Sequence, residues 1–234
     1  MNELVEAFGV AVRLLFGGDP QLWEIVLLSL QVSLLALAPA ALVGLPLGAT
    51  VALVRFPGRR LAAVALNALM GLPPVVVGLL VYVVLSRQGP LGALGWLFSP
   101  KAMVLAQAIL ITPILAALTR QVVEDLWEEH GEQLRSLGAG PWRAIPTLLW
   151  DGRYRLATAL LAGFGRAIAE VGAVIIVGGN IAHVTRVMTT AIALETSKGD
   201  LALALALGLV LVTTALCVNA AAAVTGGLAR SFES

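Results

Sequence analysis

The chain is written in long apolar runs separated by short polar interruptions. A membrane-spanning helix needs about 20 mostly apolar residues, and five segments qualify or nearly qualify: 23–54, 61–85, 101–118, 156–177 and 201–224. The first is longer than a bilayer requires, so it must tilt, kink or protrude; Pro39, Gly44 and Pro46 offer kinks. The second carries Pro73-Pro74 in its middle, and the third, barely long enough, contains Pro113. The fifth opens with Leu-Ala alternation from Leu201 to Leu207, a period-two pattern. Ala and Leu favour helix, and the run is too long for one strand, so helix is expected there too. Before the first span, residues 4–16 form a candidate amphipathic or interfacial helix. Gly17-Gly18 ends it, and Asp19-Pro20 supplies an N-cap and a first-turn proline for the next helix.

Composition sharpens this picture. Hydrophobic residues make up 59% of the 234 positions and charged residues 12%, against about 45–50% and 25% in an ordinary soluble domain. So few charges cannot dress the surface of a soluble particle of this size, and an all-α integral membrane protein of five spans is expected, with residues 1–234 as one transmembrane domain. The net charge of +1 excludes a strongly basic nucleic-acid binder. Cys217 is the single cysteine, so no intrachain disulfide is possible; inside an apolar run it reads as a small packing residue. No His/Cys/acid cluster in the spans resembles a metal or nucleophile site, so neither a metal nor a catalytic residue is expected. The start, Met1-Asn2-Glu3-Leu4-Val5-Glu6, lacks the positive region of a secretory signal.

Charge also gives an orientation. The loop 55–60 holds three arginines, the loop 119–155 holds Arg120, Arg135, Arg143, Arg153 and Arg155, and the C-terminal tail holds Arg230. With five spans these share one side and carry nine basic residues against five on the other (Arg13, Arg87, Lys101, Arg186 and Lys198), with Arg166 inside the fourth span. The positive-inside rule then places the N-terminus outside and the C-terminus in the cytoplasm of a multi-pass cell-membrane protein.

The longest loop on the cytoplasmic side, residues 124–150, carries the most information. It reads as two short amphipathic helices around a break. Leu126, Leu134 and Leu137 give the first an apolar stripe. Gly138-Ala139-Gly140 lets the backbone turn, Pro141 suits the first position of the next helix, and Trp142, Ile145 and Leu148-Leu149 offer further apolar contact. Such a part-apolar knob either docks a partner protein or lies on lipid.

Glu132-Gln133-Leu134, with Gly138 six residues after Glu132, resembles the "EAA" coupling motif of bacterial ABC-importer permeases. Leu148 matches that motif's later apolar position, while Trp150-Asp151 stands where the family carries Leu-Pro. A second stretch is longer. Gly163-Phe164-Gly165-Arg166-Ala167-Ile168-Ala169-Glu170-Val171-Gly172-Ala173, with Gly178-Gly179-Asn180-Ile181 after it, is similar to the oxyanion-importing branch of these permeases. Thr185-Arg186-Val187-Met188-Thr189-Thr190-Ala191-Ile192 and Glu195–Asp200 look like its tungstate-type members. The resemblance covers about residues 20–225. It implies the type I (MetI-like) importer permease fold and a homodimer of this chain. It also implies two copies of a separate ATPase that binds ATP and Mg, and an extracytoplasmic binding protein that delivers the anion. The coupling loop would insert into a groove on the ATPase, with Glu132, Leu134, Leu137, Gly138, Ala139, Gly140, Trp142 and Ile145 as its coupling residues. The chain itself holds no cofactor, since a P-loop needs Gly-Lys-Ser/Thr and neither Lys101 nor Lys198 sits in one.

Candidate pathway residues lie elsewhere. On a continuous helix Arg166 is the eleventh of 22 residues, near mid-bilayer, with Glu170 one turn on along the same face. An unpaired charge there would cost at least about 3 kcal/mol, so the two are expected to pair, either as a structural lock or beside the permeation pathway. Small residues in this helix permit close helix packing or the lining of a dimer-axis path. Gly178, Gly179 and Asn180 are expected to break the helix on the outer side and expose N–H groups to an anion. Thr185, Thr189 and Thr190 add neutral donors, and Arg186 offers a charge to the substrate or the binding protein. Pro73 and Pro74 read as a kink or a gate. His130 reads as a solvated loop residue.

The resemblance, taken with these features, implies an alternating-access importer permease for an oxyanion, tungstate first, surrounded by membrane lipid and without nucleic-acid partners. The alternatives are a molybdate or sulfate importer permease, an ATPase-independent anion transporter or channel, and a membrane scaffold that recruits a cytoplasmic protein.

Overall fold

The computed structural model describes residues 2–233, with side chains for residues 8–227. All regular structure among them is helical. In chain order the helices are α1 (Asn2–Phe16), α2 (Pro20–Leu53), α3 (Arg59–Leu69), α4 (Pro74–Leu85), α5 (Pro100–Ser136), α6 (Pro141–Asp151), α7 (Arg153–Ile168), α8 (Gly172–Gly178), α9 (Met188–Lys198) and α10 (Leu201–Glu233). A 3-10 turn, Gly92–Leu94, precedes α5. The side chains of Glu3, Glu6 and Arg230, which bear on the orientation, lie outside the described residues.

Among the described residues, three helices are long and apolar enough to cross a membrane: α2, α5 and, within α10, Leu201–Gly227. Two bent pairs, α3 with α4 and α7 with α8, bring the number to five if each is one span. The expected starts hold well. The carboxylate of Asp19 accepts the N–H of Leu22 at 2.8 Å and caps α2, with Pro20 as its first residue. The Leu-Ala segment from Leu201 is helix.

Several expectations are corrected. The segment 61–85 is not one helix: α3 and α4 meet at 101°. Pro73 and Pro74 lack N–H groups, and the residue before a proline is pushed out of the α region, so a continuous helix cannot form there. Residues 156–177 are likewise broken, with α7 and α8 at 58°. Arg166 therefore lies in the last turn of α7 rather than at the centre of a 22-residue helix, and Glu170 lies in the break itself. The third span continues to Ser136 as a 37-residue helix. At 1.5 Å per residue it is about 55 Å long, far more than about 30 Å of hydrocarbon. The change from apolar to polar at Leu118 ends the apolar run without ending the helix, because Arg, Glu, Leu and Gln all propagate it. His130 is thus a helical residue near Glu129. Cys217 is exposed rather than a packing residue. Beyond the turn at Gly179 and Asn180 the chain forms a further helix, α9.

The helices divide into two compact units. One gathers the chain up to Ala36, Pro73–Gln107 and Arg166–Cys217; the other gathers Leu37–Leu72, Ala108–Gly165 and the chain from Val218 onward. In the first, α4 packs against α8 so closely that a Cβ on Gly78 would fall 2.8 Å from the Cα of Ala173. In the second, α2 crosses α5 with Gly48 against Ala116, where a Cβ would fall 2.3 Å from the Ala116 carbonyl oxygen. Both contacts obey the small-residue rule for helices in lipid, where close approach replaces the hydrophobic drive.

Candidate functional site

Two groups of residues carry candidate function, one in each unit. The first is the knob made by the end of α5, the turn 137–140 and α6. Gly138 ends the helix with φ +77°, a left-handed conformation that glycine adopts without strain. Its N–H donates to the Arg135 carbonyl at 2.9 Å, and the N–H of Ala139 donates to the Leu134 carbonyl at 2.9 Å. Pro141 then starts α6, where its missing N–H costs nothing. The knob is anchored from within. Ala144 and Leu148 of α6 are fully buried against Val123 and Leu126 of α5 and Ala49, Ala52 and Leu53 of α2. Leu134 and Ile145 pack partly buried on the same cluster.

Other apolar residues of the knob are left in the open. Leu137 is 82% exposed and Trp142 64% exposed. Glu132, Gly138 and Gly140 are exposed as well, while Ala139 is half-buried. A groove of about 910 Å³ opens beside the turn, with Ala139, Gly140, Pro141 and Trp142 on one wall and Arg55, Arg59, Glu124 and Trp127 among its other lining residues. A firm base with apolar side chains left in the open is common to surfaces that dock a protein and to surfaces that lie on lipid.

Sequence reasoning missed the ionic base of this region. Glu124 accepts from Arg120 at 2.6 Å and from Arg59 at 3.3 Å. The Arg120–Glu124 spacing of four residues was a visible signal. Arg59 gave none, because its partner lies 65 positions away.

The second group surrounds the break between α7 and α8. Glu170 is 3% exposed, and its Oε2 accepts from Arg166 at 2.5 Å. Its Oε1 accepts the N–H of Ala173 at 3.1 Å, so the same carboxylate caps the start of α8. The break leaves backbone carbonyls without helical partners, and distant side chains reach them. Thr189 donates to the Glu170 carbonyl at 2.7 Å, and the side-chain amide of buried Gln107 donates to the Ala167 carbonyl at 2.9 Å. The chain turns again at Gly178, where α8 ends. Gly179 and Asn180 have φ of +72° and +50°.

The hydroxyls named as donors are engaged within the fold. Thr185 donates to the Gly178 carbonyl at 2.6 Å, Thr189 to Glu170, and Thr190 to the Val187 carbonyl at 3.1 Å. The Asn180 amide donates to the Thr190 carbonyl at 3.3 Å. Arg186 faces buried Glu195 at 3.9 Å, and Lys198 reaches the same carboxylate at 2.9 Å. Pro73 caps the start of α4, its carbonyl accepting from Val76 and Val77, and Pro74 is the first helical residue. Among the described residues, no three His, Cys, Asp or Glu side chains converge as metal ligands.

Residues 44–226 match the family described as "Binding-protein-dependent transport system inner membrane component". The tungstate uptake system permease protein of Peptoclostridium acidaminophilum is 42% identical over 220 residues, covering 94% of this chain and 96% of its own. The protein of the same name from Campylobacter jejuni is 36% identical over 219 residues, covering 94% of this chain and 92% of its own. The molybdenum transport system permease protein of Escherichia coli K12 is 35% identical over 185 residues, covering 74% of this chain and 79% of its own. With the family match spanning both the outward-facing knob and the capped helix break, the chain belongs to the inner-membrane components of binding-protein-dependent transport systems.

Proposed function

We propose that this chain is the permease of an ATP-driven importer that carries tungstate inward. The observation that carries the reading is end-to-end similarity, over 94% of the chain, to two permeases named for tungstate uptake. The relative named for molybdenum transport matches 74%. In the proposal the chain works as a homodimer with two copies of a separate ATPase holding ATP and Mg and with an extracytoplasmic binding protein; family membership supports an ATPase and a binding protein as partners in general. The terminal orientation of the proposal, N-terminus outside and C-terminus inside, rests on the arginine distribution.

In this reading Leu137 and Trp142 enter the ATPase, and Ala144 and Leu148 carry its movement into the second unit. ATP binding closes the ATPases and opens the permease outward; hydrolysis returns it inward. The breaks at Pro73-Pro74 and at Glu170 are the points of irregular backbone at which a path through the membrane is formed, since such backbone is tolerated where protein or a cavity surrounds it. Arg166 supplies positive charge beside that path while Glu170 offsets it, so that the anion is attracted without being trapped. Tungstate and molybdate are tetrahedral dianions of nearly equal size, and selection between them is assigned to the binding protein.

The test is elemental analysis of cells with and without the gene, given trace tungstate, molybdate and sulfate in competition. Loss of tungsten accumulation alone is the expected result. Loss of molybdenum or sulfate uptake instead would move the substrate, and no change in any anion would refute the proposal.

A further inference from the structure

The last carbonyls of a helix have no partner within it. At the end of α2 two of them, from Val51 and Ala52, are taken by one side chain, Arg59, the first residue of α3. Arg59 Nε donates to the Val51 carbonyl at 2.7 Å, and Nη2 donates to the Ala52 carbonyl. The chain can fold back this far because Gly58 turns with φ +87° immediately before α3. A cation at a helix C-terminus is also favoured by the helix dipole. The same Nη2 reaches Glu124 of α5 at 3.3 Å, and the other oxygen of that carboxylate holds Arg120 at 2.6 Å.

One guanidinium therefore joins three helices: the end of α2, the start of α3 and the part of α5 that leads into the knob. Ala52 and Leu53, beside the capped carbonyls, belong to the apolar cluster that buries Ala144 and Leu148 of α6. Beyond α3 the chain runs through Gly71 and Leu72 into the 101° break at Pro73. The planar, always-charged guanidinium can serve carbonyls and a carboxylate at once, which a lysine cannot reproduce. The contact is half-exposed in the groove beside the knob, so it is not needed to fill the core.

We infer that Arg59, held by Glu124, is a positioning residue for transport: it transmits displacement of the α5–α6 knob to α3 and so to the break at Pro73-Pro74. The inference rests on the reading that the knob couples to the ATPase. Coupling between sites is an energy difference carried by a contiguous element, and values of about 5- to 150-fold are usual.

The test uses the complete transporter in proteoliposomes, with tungstate-loaded binding protein on the outer side. Tungstate uptake and ATP hydrolysis are both measured. R59Q removes the cap and the bridge together. E124Q leaves the cap on α2 and weakens only the bridge. Both are expected to lower uptake about tenfold while hydrolysis continues and no longer responds to the loaded binding protein. R59K is expected to behave like R59Q, and R60Q, at the exposed neighbouring arginine, like the unaltered protein. If R59Q is impaired while E124Q is normal, Arg59 is only a cap and the inference is overturned; normal coupling in both variants overturns it as well. A G138V variant run alongside separates the two readings. If it couples normally, the knob's role fails; if it uncouples while E124Q does not, only the transmission by Arg59 fails.

Discussion

Arg166 and Glu170 are four residues apart yet lie on either side of a helix end, and the Glu170 carboxylate joins the two halves. One oxygen holds the guanidinium from the last turn of α7 at 2.5 Å, and the other accepts the Ala173 N–H of α8 at 3.1 Å. The pair is asymmetric, with Glu170 3% exposed and the Arg166 side chain 36% exposed. Neutralising the buried member leaves the half-exposed cation without its partner, whereas removing both leaves no charge to compensate.

E170Q is therefore expected to destabilise the protein by about 1–3 kcal/mol, the cost of losing a charge-assisted hydrogen bond. R166M/E170Q is expected to recover most of that loss, because the amide still accepts from Ala173 and no charge remains. Thermal unfolding of the purified chain in detergent reads both. A double variant no more stable than E170Q would show that the ion pair is not what holds the break.

Much of this arrangement was legible in the sequence, and the parts that were not share one cause. The break at Pro73-Pro74 could be read because proline acts on its own backbone and that of its neighbour. The turn at Gly138 and the cap at Asp19 could be read for the same local reason. The break at Glu170 could not. No proline or glycine pair marks it, and the groups that satisfy its carbonyls, Gln107 and Thr189, lie 60 and 19 positions from the residues they serve. Nor could Arg59 be distinguished from Arg55 or Arg60 as anything but loop charge, since its role depends on carbonyls behind it and a carboxylate 65 positions ahead. Polarity misled at Leu118, where the apolar run stops and α5 continues to Ser136.

The turn at Gly138 yields a prediction that separates backbone from bulk. A Cβ added there would meet nothing within 4 Å, so any penalty comes from φ +77° alone. Left-handed backbone costs most residues about 1–2 kcal/mol, and asparagine visits it more readily. G138V is expected to lose coupled transport, and G138N is expected to retain most of it. Rates of ATP hydrolysis and tungstate uptake in reconstituted transporter measure the difference. Equal loss in both variants would point to side-chain size at the ATPase contact rather than to the turn.

The knob's outward and inward residues should also part company. Leu137 and Trp142 are 82% and 64% exposed. Truncating either to alanine is expected to change stability by no more than about 0.5 kcal/mol. If they anchor the ATPase, each truncation should weaken its binding by about 2 kcal/mol or more, roughly 30-fold. Leu148 is fully buried, and Leu148→Ala is expected to cost about 2–5 kcal/mol of stability. Unfolding midpoints and the affinity for purified ATPase, measured on the same preparations, distinguish the classes. An L137A or W142A variant that binds the ATPase normally would remove that residue from the docking surface.

The close crossing of α4 on α8 leaves no room for a side chain at position 78. Gly78 is buried, and a Cβ there would lie 2.8 Å from the Ala173 Cα and 3.1 Å from its carbonyl oxygen. Both are backbone atoms, so neither can rotate aside. Ala173 is also the residue whose N–H is held by Glu170, so displacing it pulls on the cap of α8 as well as on the packing. Gly78→Ala is expected to destabilise by about 1–3 kcal/mol, the range for overpacking, and Gly78→Val by more, although both side chains are more apolar than the glycine they replace. Glu170→Ala, which removes the acceptor of the Ala173 N–H, should add little to Gly78→Val if both act by releasing α8 from the same position, because residues that share a partner are not additive. Unfolding of the two single variants and the double variant measures that coupling. Full additivity would mean that the crossing and the carboxylate cap hold α8 independently.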